Sequence, residues 1–346
     1  MTVASRAVAA AVDLAERRRV PDSWIRWGIR RAVAARLSRE QRADPLDRRD
    51  FWERAASGPI AILPDVANAQ HYEVPAAFFD LVLGRRRKYS AGWWPEGVEG
   101  LEAAEEAMLA ITAERAGIAD GDSILDLGCG WGSFTLWAAE RFPSSQIVGV
   151  SNSAGQRAHI LERASASGLD NVEVVTGDVN HYQPGNTFRR IVSVEMLEHV
   201  RNHPELLRRM RSWLTDDGSV LIHVFAHRRY AYPYEPGGPG SWMANTFFTG
   251  GVMPSRGLIP RSAEPWFDLA GDWWFDGDHY AETLEAWLRR LDARADEARA
   301  LLAPAYGPDT DRWVQRWRIF FMACAELFGF AGGTEWGVAH HVLVPR

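Results

Sequence analysis

The chain has 346 residues, 47% of them apolar, enough to bury a large core and more than one minimal domain needs. Its formal net charge of -6 supplies no basic field, so no nucleic-acid partner is expected. The two cysteines, Cys129 and Cys324, are too few for a secreted disulfide scaffold or a zinc cluster, and no apolar run reaches signal or bilayer length. These features predict a soluble, cytoplasmic protein with one main domain and helical additions, no metal and no integral membrane association; a homodimer stays open.

Residues 1–60 read as helical and rich in arginine, with Ile25, Ile29, Val33 and Leu37 at helical spacing. A helix docked on the domain with a solvated basic face is expected, and a membrane-surface helix is the alternative. Asp44-Pro45 breaks that pattern. From Asp122 the rhythm changes. Strands are predicted at 123–127, 146–150, 171–176, 190–194 and 219–225, with helices at 134–141, 154–167 and 204–214 between them. Strands alternating with helices imply α/β architecture, a parallel sheet with helices on both faces. Residues 227–263 carry Pro233, Pro236, Gly237, Gly238, Pro239 and Gly240, a long irregular stretch that reads as a lid. A strand over 266–276, helices near 280–291 and 311–328, and a closing strand over 341–344 complete the chain. The resulting division is a helical segment at 1–70, a nucleotide-binding core at 71–226, and a lid with a helical region and closing strands at 227–346. The 16 tryptophans, Trp94 and Trp336 among them, serve either core packing or an aromatic-walled pocket.

The first predicted strand runs into Gly128-Cys129-Gly130-Trp131-Gly132 and then a helix. Such a turn lets backbone approach a ligand closely. A dinucleotide fingerprint would need a small residue spaced differently, with Ser133 standing in that place. Asp126 precedes the loop and can sit near the amino-acid end of S-adenosylmethionine. Asp178 and Val179, after the third strand, are placed to meet an adenine, and Val194 ends the fourth strand beside them. The second strand lacks the carboxylate that often holds ribose hydroxyls. Ser151, Asn152 and Gln156 offer neutral donors and acceptors instead. The expected cofactor is therefore S-adenosylmethionine, with S-adenosylhomocysteine as product, and a small molecule as methyl acceptor.

Methyl transfer from a sulfonium is a direct displacement, so positioning is the main requirement. An amine acceptor must also lose a proton, which calls for a carboxylate or imidazole. Glu195, Glu198 and His199 form such a cluster at the carboxyl end of the fourth strand, where open parallel sheets place their ligands. His223, inside the fifth strand, is a further candidate, or else a satisfied core histidine.

These motifs occur together in a recognisable way. His71-Tyr72-Glu73-Val74-Pro75, Lys88-Tyr89-Ser90, Leu101–Glu105, the Gly128–Gly132 loop and Val194–His199 resemble the cyclopropane fatty acid synthase superfamily, and within it most of all the coclaurine N-methyltransferase group. The resemblance runs from about residue 70 to the C-terminus. It implies a class I methyltransferase fold, Rossmann-like, with a mostly parallel seven-stranded sheet and an inserted lid. It also implies cofactor contacts by Tyr89, Ser90, Gly128, Gly130, Ser151, Asn152, Gln156, Asp178 and Val179. Glu195, Glu198 and His199 match the motif that binds and deprotonates the amine in alkaloid N-methyltransferases, and Glu73 is a further candidate beside it. Trp94, Phe248, Phe320 and Trp336 are candidate acceptor contacts. Cyclopropane synthases hold a bicarbonate base. Glu198 and His223 match two of its ligands, but Ala91 and Phe320 stand where a cysteine and a tyrosine would be. N-methylation of an amine is therefore expected ahead of C-methylation or cyclopropanation of a lipid or terpenoid alkene, and ahead of a non-catalytic binding role.

Overall fold

Three helices open the chain in the computed structural model, which describes residues 3–62, 74–238 and 241–346: α1 (Val3–Glu16), α2 (Asp22–Arg42) and α3 (Pro45–Ala56). Asp44 caps α3, its carboxylate accepting the Leu46 N–H at 2.9 Å, with Pro45 at the first helical position. Next come α4 (Ala76–Val82) and α5 (Leu101–Ala116), the latter ended by Gly117 in the left-handed conformation. Strands and helices then alternate: β1 (Ser123–Leu127), α6 (Ser133–Arg141), β2 (Gln146–Ser151), α7 (Ala154–Ala166), β3 (Val172–Thr176), β4 (Phe188–Val194), α8 (His203–Trp213) and β5 (Leu214–His227). Short helices α9 (Trp242–Thr246) and α10 (Leu258–Ala263) precede β6 (Phe267–Asp276), α11 (Gly277–Ala293), α12 (Ala295–Tyr306), α13 (Thr310–Phe328) and β7 (Trp336–Pro345).

The described residues form one seven-stranded sheet, ordered β3-β2-β1-β4-β5-β7-β6. β7 runs antiparallel to both its neighbours, and the other pairings are parallel. The central strands are apolar on both faces: Ile124, Leu125, Ile191, Val192, Val220, Leu221 and Ile222 are all buried. Such continuous apolar runs mark strands covered by helices on both sides. The order reverses at β1/β4, so a crevice opens beyond the carboxyl ends of those strands.

The N-terminal helices are docked, with Arg17, Arg18, Arg19, Arg30, Arg31, Arg39 and Arg42 exposed. Glu16, 3% exposed, accepts from Trp242 Nε1 at 2.8 Å and from Arg316 Nε at 3.0 Å. Arg318 of α13 donates to Asp22 at 2.6 Å and to Asp292 at 2.5 Å, and Arg26 to Glu285 at 2.6 Å. Partly buried multiple pairs of this kind fix α1 and α2 against α11 and α13.

Several boundaries differ from the sequence expectation. The fifth strand starts at Leu214 rather than at 219, because Thr215–Gly218 is a bulged strand start and not a helix-ending turn. There the β4–β5 register shifts between Phe188 and Arg190. A Cβ on Gly218 would stand 2.9 Å from the Arg189 carbonyl oxygen, so only glycine allows this approach. The closing strand spans Trp336–Pro345, ten residues instead of the four expected, since its partner strands on both sides extend its pairing. Helices α5 and α12 lie where no element is predicted. The stretch after His227 is a folded cap rather than an irregular segment: Tyr232–Pro233 pairs with Val252–Met253, and Phe247, Val252 and Ile259 are completely buried. Among the described residues no helix is long and apolar enough to cross a membrane, and no group of three or more His, Cys, Asp or Glu side chains could hold a metal.

Candidate active site

A cleft opens at the carboxyl ends of β1, β2 and β4 and is closed on one side by Thr249–Gly251 of the cap.

The glycine loop is tied to β2 by two hydrogen bonds, the Gly128 and Cys129 N–H groups both donating to the Val150 carbonyl at 3.0 and 2.9 Å. Its three glycines have φ of 88°, 52° and 81°. They do different work. A Cβ on Gly128 would lie 2.5 Å from Met196, and one on Gly132 would lie 2.6 Å from Ile160. A Cβ on Gly130 would meet no described atom within 4 Å. The outer two glycines thus allow close packing, while Gly130 leaves its backbone bare toward the cleft.

Asp126 is 1% exposed and accepts the Thr135 hydroxyl at 2.6 Å. Burial pushes its carboxyl up to about 6. Ser151 Oγ donates to Gln156 Oε1 at 2.5 Å, which fixes the amide and leaves Gln156 Nε2 buried with no partner among the described residues. Asp178 accepts the Asn180 N–H at 2.9 Å. Tyr89, Ser90, Asn152, Val179 and Val194 join these residues around the cleft. A buried anion, an unpaired amide donor and a bare backbone fit a ligand bearing an ammonium and ribose hydroxyls.

Glu195 follows β4 in the left-handed region, at φ 47°. A non-glycine residue there is held by its surroundings, and the partners are visible. Its Oε1 accepts the Ala91 N–H at 2.9 Å and faces His223 Nε2 at 3.2 Å, while Oε2 accepts the Tyr280 hydroxyl at 2.6 Å. Burial pushes its carboxyl above the ordinary range, opposed by the charge of Lys88. Lys88 is itself buried and donates to Ser90 Oγ at 2.5 Å and the Ala91 carbonyl at 2.9 Å; burial draws it down to about 8. Lys88, Thr135, Tyr280 and the cap residues Thr249–Gly251 were not singled out from sequence. Lys88 stands next to the Tyr89-Ser90 pair, which was the available signal.

His199 lines the cleft, its ring 4.9 Å from that of Phe248. Burial lowers it to about 4, so the imidazole is neutral, although the Glu195 charge favours its protonated form. Glu198 lies behind it, wholly buried, with Oε1 accepting the Phe225 N–H at 2.7 Å and Oε2 unpaired among the described residues. Burial first, and the Glu195 charge second, push the Glu198 carboxyl far above its usual range.

The structure brings Glu195, His199 and the cofactor candidates other than Gly132 onto one cleft, Gly132 packing against Ile160 instead, with Glu198 and His223 buried outside the lining. The acceptor candidates separate. Phe248 packs against His199. Phe320 stacks on Phe247 at 4.5 Å, Trp94 donates to Thr283 Oγ1 at 2.9 Å, and the buried Trp336 donates to the Tyr232 hydroxyl at 3.0 Å. All four lie outside the described cleft lining, and the last three are packing residues. Glu73 lies outside the described residues, with His71 and Tyr72.

Comparison with known proteins agrees with this geometry. Residues 64–332 match the family described as mycolic acid cyclopropane synthetase. The chain is 34% identical over 295 residues to (S)-coclaurine N-methyltransferase of Thalictrum flavum subsp. glaucum, covering 83% of this chain and 80% of that one. It is 31% identical over 266 residues to cyclopropane-fatty-acyl-phospholipid synthase of Escherichia coli (strain K12), covering 76% and 64% respectively. The crystal structure of a coclaurine N-methyltransferase bound to N-methylheliamine and SAH superposes with a TM-score of 0.92 at 30% identity, over 98% of this chain and 99% of that one.

Proposed function

The chain belongs to the mycolic acid cyclopropane synthetase family and is an S-adenosylmethionine-dependent methyltransferase, and from that premise we propose that it methylates the nitrogen of a small, aromatic-bearing amine in the cytoplasm. The observation that carries this reading is a neutral imidazole, His199, sharing a cleft with the carboxylate of Glu195, with the aromatic ring of Phe248 packed against it from behind the lining.

When bound, S-adenosylmethionine supplies an electrophilic methyl group on a sulfonium. The residues proposed to hold it are Tyr89, Ser90, the Gly128–Gly132 loop, Ser151, Asn152, Gln156, Asp178, Val179 and Val194, with Asp126 nearest its ammonium. Glu195 attracts the cationic amine. A carboxylate about 4 Å from such a charge gains on the order of 4 kcal/mol at an effective dielectric near 20. His199, kept neutral by burial, takes the amine proton, and the Glu195 charge offsets the imidazolium that results. Burial holds the Glu198 carboxyl well above its usual range, and a cation entering the cleft would favour its ionised form and deepen that field. Holding nitrogen and methyl in line supplies up to about 7–11 kcal/mol of the barrier reduction.

C-methylation or alkene cyclopropanation is the other reading, favoured by the bacterial cyclopropane synthase relative. It would need His223 as a ligand or base, yet both ring nitrogens of His223 are already engaged within the protein. The test is a screen of labelled S-adenosylmethionine against an amine library and a lipid extract. We expect label on an amine, and turnover lowered about 10²- to 10⁴-fold by His199→Ala or Glu198→Gln with cofactor affinity near normal. Label on lipid carbon, or unchanged turnover in both variants, overturns the proposal.

A further inference from the structure

Behind Glu195 runs a line of buried polar groups that methyl transfer as described does not use. His223 and His340 are direct partners across the β5–β7 pairing, so their side chains share a face. His340 Nε2 lies 2.9 Å from His223 Nδ1, and His223 Nε2 lies 3.2 Å from Glu195 Oε1. At the far end Arg115 Nη1, from the last turn of α5, lies 3.1 Å from His340 Nδ1. The guanidinium is held over the rings of Trp273 and Phe275, at 4.5 and 4.7 Å from their centroids.

One proton arrangement satisfies every member of this line. Arginine can only donate. His340 Nδ1 must therefore carry its lone pair, which in a neutral imidazole puts the proton on Nε2. His340 Nε2–H then donates to His223 Nδ1, and His223 in turn carries its own proton on Nε2, aimed at the Glu195 carboxylate. Both imidazoles are neutral: they are completely buried, and Arg115, Lys88 and, for His340, His341 oppose further protonation. The carboxylate of Glu195 can only accept, so the two ends of the line are one-way groups and agree in direction.

We propose that Arg115 and His340 are positioning residues, a tautomer lock that keeps the His223 proton on Nε2 and so holds Glu195 as an oriented, hydrogen-bonded carboxylate at the cleft. The lock stands on the hydrogen-bond geometry alone; its consequence for turnover rests on Glu195 acting at the acceptor amine. If the His223 proton moved to Nδ1, a lone pair would face the carboxylate, and the resulting repulsion would turn Glu195 away or force a proton onto the pair.

The test is nitrogen-15 NMR of the full-length protein labelled at its ten histidines, near neutral pH, with His340→Gln used to assign the pair. In the wild type His223 and His340 should both be neutral and protonated at Nε2 only. Arg115→Gln puts an amide in place of the guanidinium. An amide can accept as well as donate, so this variant should give mixed tautomers at both histidines and lower kcat about tenfold, with cofactor affinity unchanged. Arg115→Lys restores a group that only donates. It should keep the wild-type pattern and recover most of the turnover. A wild-type His223 protonated at Nδ1 or at both nitrogens overturns the lock. So does an unchanged pattern in Arg115→Gln. Should Arg115→Gln fail to fold, the wild-type and Arg115→Lys spectra decide. A correct tautomer pattern in an enzyme that methylates no amine would sink the acceptor reading and leave the lock standing.

Discussion

The two ends of the cleft are built in opposite ways. The cofactor end comes from consecutive strand-to-helix turns: Asp126 to Gly132 after β1, Ser151 to Gln156 after β2, and Asp178 after β3. The acceptor end is assembled from afar. Lys88 and Ala91 come from before the sheet, Glu195 and His199 from after β4, His223 from β5, Phe248 from the cap, Tyr280 from α11 and His340 from β7. Their electrostatics differ as well. At the cofactor end burial raises the carboxyl of Asp126, whereas at the acceptor end Glu195 and Glu198 are pushed up while His199 and His223 are pushed down. Contiguous turns write their chemistry into local spacing. Dispersed sites write it into long-range hydrogen bonds among buried titratable groups, which is where functional pKa perturbation concentrates.

This contrast predicts separable losses, and the largest should be at the acceptor end. Glu195→Gln keeps the size of the side chain but removes the charge. Turnover should fall at least about 100-fold, while S-adenosylhomocysteine binding by calorimetry stays within about twofold. Equal loss of both would mean the two ends are not independent. The reciprocal break is Gly130→Ala. At φ 52° a side chain is strained but meets no described neighbour, so the new methyl projects into ligand space. Cofactor affinity should weaken about tenfold with roughly 1–2 kcal/mol of stability lost. Unaltered affinity would remove the loop from the cofactor site.

The same contrast explains what could be read in the sequence. The β–α alternation, the glycine loop with Asp126, and the Glu195–His199 cluster follow from short-range patterns and stand in the structure near the expected positions. Tyr280 and His340 could not be read, because each matters through a partner far along the chain. His223 shows the boundary: its place mid-strand allowed a core role or a site role, and the structure places it fully buried yet bonded to Glu195. Trp94, Phe320 and Trp336 are the converse. Large rings look alike whether they line a pocket or fill a core, and only packing distinguishes them. The start of β5 was hidden because Asp216-Asp217-Gly218 has turn composition although Gly218 serves a bulge.

A smaller effect tests how the acceptor end tunes its carboxylate. The Tyr280 hydroxyl donates to Glu195 Oε2 at 2.6 Å, which favours the ionised form. Tyr280→Phe removes that bond and should raise the Glu195 pKa further. The acid limb of the kcat/KM profile should then move to higher pH, with little change on the plateau. An unmoved limb would show that Glu195 is not the group setting it.

The smallest effect concerns the cofactor end and isolates the raised carboxyl of Asp126. Without ligand, Asp126 stands at about 6, raised by burial. A group raised on folding stabilises the folded protein at low pH and loses that contribution as pH climbs through the folded value. The ligand-free protein should therefore lose stability between about pH 4 and 6 from this residue. A bound ammonium favours the ionised form, so binding draws a proton off Asp126 below pH 6 and affinity drops there. From pH 7.5 to 6 the ionised fraction falls by about half, and S-adenosylhomocysteine affinity should fall about twofold, reaching about tenfold at pH 5. Glu195, also raised, titrates within the same cleft, so the wild-type curve alone is ambiguous. Asp126→Asn resolves it: binding should be weaker at every pH and the slope below 6 should flatten. Keeping the range below 7.5 leaves Lys88, at about 8, charged for the most part. A slope that persists in Asp126→Asn would move the pH dependence to the acceptor end, making the cofactor end electrostatically passive.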